Sequence, residues 1–315
     1  QKQYGLRTTA AGGRIGSNID DVDGHRRFVS AAFDWRVNSR LTLKADVENY
    51  RKRITEQAGI TRLAAVNGVI ALPAVPNPDK LLGPPWAVFD AEVTNTQLRA
   101  DYSLGDNWAL TVEAGHSEAE RDRRLASFSN YNVLTGAGRI TGNDQSLKQT
   151  SDLLRTELFG TFSTGSVQHE LTLGAARSKK TQDPIFQRNY GGASTVQNLY
   201  NPVPIGYLPL AARPTRPTTG AQESEELGLY ALDRITFSPQ WQLVAGLRRA
   251  HYESTQGASA TIPSIAYDVR KTTPLAALSY KFTPALVGYA SYAEGVEEGE
   301  IAPAKAGYLA QLMKG

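Results

Sequence analysis

A series of very short turns, each flanked by an aromatic residue and each joining two stretches of alternating apolar and polar residues, constrains this chain more than any other feature. Trp35 precedes Val37-Asn38-Ser39-Arg40, and Trp108 follows Leu104-Gly105-Asp106-Asn107. Phe162 precedes Ser163-Thr164-Gly165-Ser166, Phe237 and Trp241 bracket Ser238-Pro239-Gln240, and Phe282 precedes Thr283-Pro284. The segments joining the other strand ends are much longer, so the tight turns all fall at one end. An antiparallel transmembrane β-barrel has this asymmetry: short periplasmic turns beside an aromatic girdle, and long extracellular loops. Trp35, Trp108, Phe162, Phe237, Trp241 and Phe282 are the expected girdle.

The strands themselves carry the period of two that a half-lipid, half-water wall requires. Leu41, Leu43, Ala45 and Val47 alternate with Thr42, Lys44, Asp46 and Glu48, and Val29, Ala31, Phe33 and Trp35 form the partner strand of a hairpin. A second hairpin sets Leu98, Ala100 and Tyr102 against Trp108, Leu110, Val112 and Ala114, and a third sets Leu154, Leu158 and Phe162 against Val167, Leu171 and Leu173. Two further hairpins are expected at roughly 223 to 253 and 270 to 295, with faces that the sequence does not assign around Leu229 to Ile235. With an opening strand near Tyr4 to Ala11, about eleven strands are expected.

Composition agrees with such a wall. No run approaches the roughly 18 to 20 apolar residues of a spanning helix, and a mean hydropathy of −0.36 is what averaging an apolar face with a polar one yields. Thirty-four basic residues are interspersed among 31 acidic ones for a net charge of +3, which leaves no basic patch for nucleic acid. The absence of cysteine removes disulfides, thiol catalysis and thiolate metal sites. His25, His116, His169 and His251 stand isolated, without a second ligand at metal-binding spacing, and read as surface or girdle residues. No nucleophile, base and orienting acid can be assembled, so neither catalytic nor metal-binding residues are expected. Gly12, Gly13 and Gly16 lack the strand, helix and acidic partner of a dinucleotide fingerprint and read as loop.

Lys44, Asp46, Glu48, Arg99, Asp101, Glu113, Arg155 and Glu157 fall opposite the apolar stripe, where they would line a hydrated lumen or face a plug. On the lipid side an Arg or Lys would cost roughly 2 to 4 kcal/mol at the midplane. The expected loops run over roughly 12 to 24, 55 to 93, 118 to 148, 182 to 222, 256 to 269 and onward from Glu297. Eleven prolines from Pro73 to Pro217 collect in two of them, where no ladder hydrogen bonds are needed. Trp86, Phe89, Phe128, Tyr131, Phe186, Tyr190, Tyr200 and Tyr207 lie in or beside these loops. Aromatic residues there are candidates for ligand contact, and Arg188 is a candidate for meeting negative charge.

The run GLYALD (Gly228 to Asp233) followed by WQLVAGLRRAHY (Trp241 to Tyr252) resembles a strand-pair pattern of TonB-dependent siderophore receptors. YASYAEG (Tyr289 to Gly295) with Ala302-Pro303 beyond it, and VQHELTLGAARS (Val167 to Ser178), are similar to the same barrels; Leu232 and Arg249 replace a Gln and a Tyr common in them. The resemblance implies a 22-stranded outer-membrane barrel of a Gram-negative bacterium, filled by an N-terminal plug. It implies import of ferric siderophore driven by the TonB-ExbB-ExbD complex, with iron present only as substrate and outer-membrane lipid around the strands. Residues 1–315 are then expected to be an interior piece of the barrel domain, without plug or C-terminal strands. The readings set against this are a passive porin, a receptor for another substrate such as cobalamin, and a soluble or surface β protein that binds carbohydrate or a partner.

Overall fold

In the computed structural model, which describes residues 3–190 and 195–295, the chain is all β among the described residues. The strands are β1 (Tyr4–Gly16), β2 (Asp23–Arg36), β3 (Leu41–Thr55), β4 (Gly59–Ile60), β5 (Val88–Ser103), β6 (Trp108–Ser129) and β7 (Ala137–Thr164). They continue with β8 (Val167–Gln182), β9 (Arg188–Asn189), β10 (Thr195–Asn198), β11 (Gln222–Thr236), β12 (Trp241–Gln256), β13 (Ile265–Thr283) and β14 (Leu286–Ala293). Eleven long strands pair with their sequence neighbours in one antiparallel ladder, β1-β2-β3-β5-β6-β7-β8-β11-β12-β13-β14, while β4 pairs with β6 and both β9 and β10 pair with β7. The ladder is open, with β1 and β14 at its two ends.

Three of the tight turns are closed each by its own chemistry. Asn38 Oδ1 accepts from the backbone N–H of Arg40 (2.8 Å) and Leu41 (2.9 Å). Ser238 Oγ accepts from those of Gln240 and Trp241, both at 3.2 Å. Gly165 takes φ +63° between β7 and β8, a left-handed conformation that favours glycine. Short polar side chains thus substitute for backbone partners at the turn, and this fixes the register and with it which side chains share a face.

On one face, Trp35 lies opposite Leu43, Leu43 opposite Ala100, Ala100 opposite Val112 and Val112 opposite Thr156. This face holds the large exposed aliphatics, with Leu98, Leu154, Leu229 and Leu247 each more than half exposed. The register also settles the stretch that alternation left open. Leu229 and Ala231 stand in the rows of Ala175 and Leu173, on the apolar face. Tyr230 turns to the polar face, lying over Gly174, where a Cβ would come within 2.1 Å of its ring. Leu232 on that polar face, opposite Thr172 and Gly246, is what blurs the pattern.

Strands run further than alternation indicates, which corrects three expected loops. β1 and β2 leave only residues 17–22 between them, and β12 and β13 only 257–264. Most of the expected loop 118 to 148 is strand, because β6 (22 residues) and β7 (28 residues) pair without a register shift up to residues 130–136. About 9 to 11 residues suffice to cross a membrane, so this hairpin projects far beyond it. Once neither face meets lipid, nothing selects for alternation, and the signal vanishes while the backbone ladder continues. The segment from Glu297 and Ala302-Pro303 lie outside the described residues.

Candidate functional site

The polar face continues from the short-turn end to the mouth of the loops. Arg155 reaches Glu113 at 2.6 Å and Glu157 at 3.9 Å, and Asp101 is shared by Arg99 (2.8 Å) and Lys44 (3.5 Å). Gln97 donates to Glu113 at 2.6 Å. Gln97 and Glu113 also line a groove of ≈ 810 Å³, together with Glu48, Asn95 and Lys180. Such partly exposed pairs add little stability individually; collectively they make a hydrated wall in which the three cations among the eight residues expected on this face are outnumbered by five carboxylates.

Higher on the same face the balance changes. Phe89 pairs with Arg123 and Ala91 with Arg121 across β5 and β6, in an unbroken register that preserves their parity with Glu113. The Arg123 guanidinium sits 5.9 Å from the Phe89 ring centre and bonds Glu56 at 2.7 Å. Arg121 has no ion-pair partner among the described residues, and its Nε is buried without a hydrogen bond. Burial, and then the neighbouring Arg123, hold its pKa below the ordinary guanidinium value. Glu56 acts on it in the opposite direction but is bonded to Arg123, and a half-buried cation without a bonded carboxylate is an unmet demand for an anion. It stands seven residues above Ala114, the last apolar residue of the β6 stripe.

Above the wall, the projecting β6–β7 hairpin carries two long connections, residues 56–87 and 183–221. Between them lies a hydrophobic core made of Ala58, Leu82, Ala87, Ala126, Phe128, Tyr131, Ile140, Leu199 and Ile205. Two glutamines fasten it. Gln57 Oε1 accepts from the N–H groups of Leu82 (2.7 Å), Ala58 (3.1 Å) and Gly83 (3.2 Å) while its amide donates to the Lys80 carbonyl at 2.9 Å. Gln197, buried, donates to the carbonyls of Val203 (2.8 Å) and Leu82 (3.3 Å) and accepts from the N–H groups of Asn198 (2.9 Å) and Val203 (3.0 Å). Gln197→Ala strands four backbone groups, at about 1 to 3 kcal/mol for each that stays buried. It is expected to raise hydrogen exchange at Asn198 and Val203, whose N–H groups Gln197 holds, while β2 and β3 stay protected; unchanged exchange at these two amides refutes the fastening role.

The nine loop candidates separate into distinct environments. Phe128 and Tyr131 are stacked inside the core with ring centres 5.2 Å apart. Tyr200 donates its hydroxyl to the Val133 carbonyl at 2.5 Å and accepts from the Ala74 N–H at 3.2 Å, which ties one connection to the hairpin tip. Tyr190 is buried, its hydroxyl has no partner among the described residues, and burial raises its pKa. Trp86 meets Tyr190 edge-on at 4.7 Å and Tyr207 at 5.4 Å, and its indole donates to the Ile205 carbonyl at 3.1 Å. Arg188 is already neutralised by Asp144 at 2.8 Å. Phe186 lies under the Arg213 guanidinium at 4.0 Å, and Tyr207 is well exposed. Arg121, Arg123 and Arg213 were absent from the expected set. Only the uninterrupted parity of β6 from Trp108 could have shown the first two.

Tight turns at one end, an apolar face without protein cover, a charged face opposite and a packed loop assembly at the other end define the kind of wall. The TonB dependent receptor-like β-barrel family matches residues 34–309. The chain belongs to that family. Its members are outer-membrane β-barrels of Gram-negative bacteria, which accounts for the uncovered apolar face. The ferrichrome receptor FcuA of Yersinia enterocolitica is 24% identical over 307 residues, covering 96% of this chain and 39% of that protein. The metal-pseudopaline receptor CntO of Pseudomonas aeruginosa is 21% identical over 280 residues, covering 84% and 37%. The crystal structure of BauA, the ferric preacinetobactin receptor of Acinetobacter baumannii, superposes with a TM-score of 0.78 at 23% identity, over 97% of this chain and 45% of that one. The chain thus spans less than half the length of the relatives it matches, and the expected fold and family hold over the part they share.

Proposed function

We propose that the complete receptor imports a ferric siderophore across the outer membrane, with energy delivered through TonB and its ExbB-ExbD partners. Iron enters only as the substrate's metal. The observation that carries this reading is Arg121: a half-buried guanidinium without an ionic partner among the described residues, beside Arg123 and Phe89, on the face that becomes the lumen. One unpaired cation, an Arg123–Glu56 pair beside it and an aromatic edge suit a chelate with an anionic metal centre and an organic body. Exposed Tyr207, with Trp86 behind it, and the Phe186–Arg213 pair supply further contact surface. Phe128, Tyr131, Tyr190 and Tyr200 act by holding the connections in place, and Arg188 by bracing β9 against β7. Trp35, Trp108, Phe162, Phe237, Trp241 and Phe282 form the girdle at the periplasmic interface, where their amphipathic rings sit between lipid and water.

Uptake of radiolabelled iron from a panel of ferric hydroxamates and catecholates, in cells carrying the full receptor with and without TonB, tests the reading. One chelate is expected to enter only with TonB, and equal uptake in both strains overturns it. Arg121→Ala should weaken that chelate's binding about tenfold or more, since a charged hydrogen bond contributes roughly 1.5 to 3 kcal/mol. Unchanged affinity in a correctly inserted variant removes Arg121 from the site.

A further inference from the structure

On the apolar face, above the last aliphatic residue of β12, stands a constellation that the import site does not use. His251 Nε2 lies 3.1 Å from Asp268 Oδ1 and 3.2 Å from Glu253 Oε1. The three ligand atoms all fall within 4.8 Å of one another. Two strands build it: His251 and Glu253 are two residues apart on β12 and so share a face, and Glu253 pairs with Asp268 of β13. The outward stripe of β12 runs Trp241, Leu243, Ala245, Leu247 and then Arg249, His251 and Glu253. Ten residues of tilted strand rise about 25 Å, which sets His251 at the level of the outer lipid headgroups.

We propose that His251, Glu253 and Asp268 form a divalent transition-metal site on the outer surface of the barrel. The donor set is one imidazole nitrogen and two carboxylate oxygens, which suits Zn²⁺, Ni²⁺ or Cu²⁺ better than the all-oxygen shells of Mg²⁺ or Ca²⁺. The spacing suits them too. Metal–ligand bonds of about 2.0 to 2.2 Å at tetrahedral or octahedral angles separate donors by about 3.0 to 3.5 Å, so His251 already holds each carboxylate at a metal's distance. Three protein ligands leave a position open to water or to a headgroup oxygen.

The charges around the triad leave it available. Among the described residues, the only ionic partner of Glu253 and of Asp268 is His251. Arg270, which lies opposite His251 in the ladder, forms no ion pair with either carboxylate. Glu225, the neighbour of Glu253 on β11, is occupied by Arg177 at 2.7 Å. His116 offers a contrast within the same molecule: it meets Asp152 at 2.7 Å but has no third ligand.

The site is independent of siderophore import, because it lies on the opposite face of the strands from Arg121. Its test uses the full receptor in detergent, stripped with chelator, titrated with Zn²⁺ against a chromophoric competitor and with Co²⁺ for visible d–d absorption. One ion is expected to bind. His251→Ala and Glu253→Gln should each weaken it by more than about tenfold, since even residues that only support a ligand are worth 10- to 100-fold. His251→Ala should also abolish the Co²⁺ band, and His116→Ala should leave both readouts intact. Heat-modifiable migration verifies folding; should His251→Ala fail it, His251→Asn replaces it in both titrations. Equal Zn²⁺ affinity in the wild type and the folded His251 variant overturns the proposal, as does a loss caused equally by His116→Ala.

Discussion

Phe128→Ala is expected to loosen the extracellular assembly while leaving the barrel in place. Phe128 has no exposed surface, stacks on Tyr131, and fills the space over Gly138, where a Cβ would approach its ring to 2.4 Å. Its backbone carbonyl also anchors the first connection, accepting from the Thr61 N–H at 2.8 Å beside β4. Truncating a buried Phe costs about 3 to 5 kcal/mol. In a globular protein this loss would be shared by the whole fold. Here the buried hydrophobic cluster joins the two connections to the projecting ends of β6 and β7, beyond the part of the wall that crosses the membrane, so the cost falls on the loops and the hairpin tip. Protease added to intact cells should cut within residues 56–87 or 183–221 of the variant, under conditions that leave wild type whole. Both should reach the outer membrane in equal amount. Because Glu56 holds Arg123 at 2.7 Å, the same variant should bind ferric chelate more weakly. Wild-type protease resistance in Phe128→Ala would show that the loops are ordered by something other than this core.

What the sequence could disclose follows from where solvent changes. Between the tight turns and roughly ten residues above them, one strand face meets lipid and the other water. In that zone Leu41 to Glu48 or Trp108 to Ala114 spell out strand, register and face. Above it, residues such as Glu118, Glu120 and Lys148 face water on the side that lower down faces lipid, so β6 and β7 read as loop although their ladder is unbroken. The loop aromatics were legible as a group, but the division between packing and exposure was not. Phe128 and Tyr207 have the same local signature, and only the contacts made by residues 56–87 and 183–221 bury the one and expose the other. His251 looked isolated because one of its carboxylate neighbours, Asp268, comes from the next strand. Arg121 looked like one charge among many, since the lack of a partner is a property of three dimensions.

The second large effect distinguishes lipid from water as the cover of the apolar face. Leu98 is 56% exposed, and its ladder neighbours are the small residues Ala45 and Ala114, so replacing it disturbs little protein packing. It lies six residues from Leu104 at the turn end, about 20 Å along the strand and near the middle of an apolar band about 25 Å tall. Val196 on β10 is 66% exposed but belongs to the loop assembly. In water the two sites would respond alike, and a surface substitution costs about 0.5 kcal/mol or less. In the outer membrane they differ. Leu98→Arg should cost about 2 to 4 kcal/mol, the penalty of a guanidinium at the midplane, whereas Val196→Arg should remain near neutral. The comparison is made in the full receptor by the fraction that inserts and migrates as a folded barrel in unboiled gels. A marked fall for Leu98→Arg alone identifies lipid as the solvent of that face. Equal insertion of both variants would mean that Leu98 faces water or protein, and that the apolar stripe is covered by something other than the bilayer.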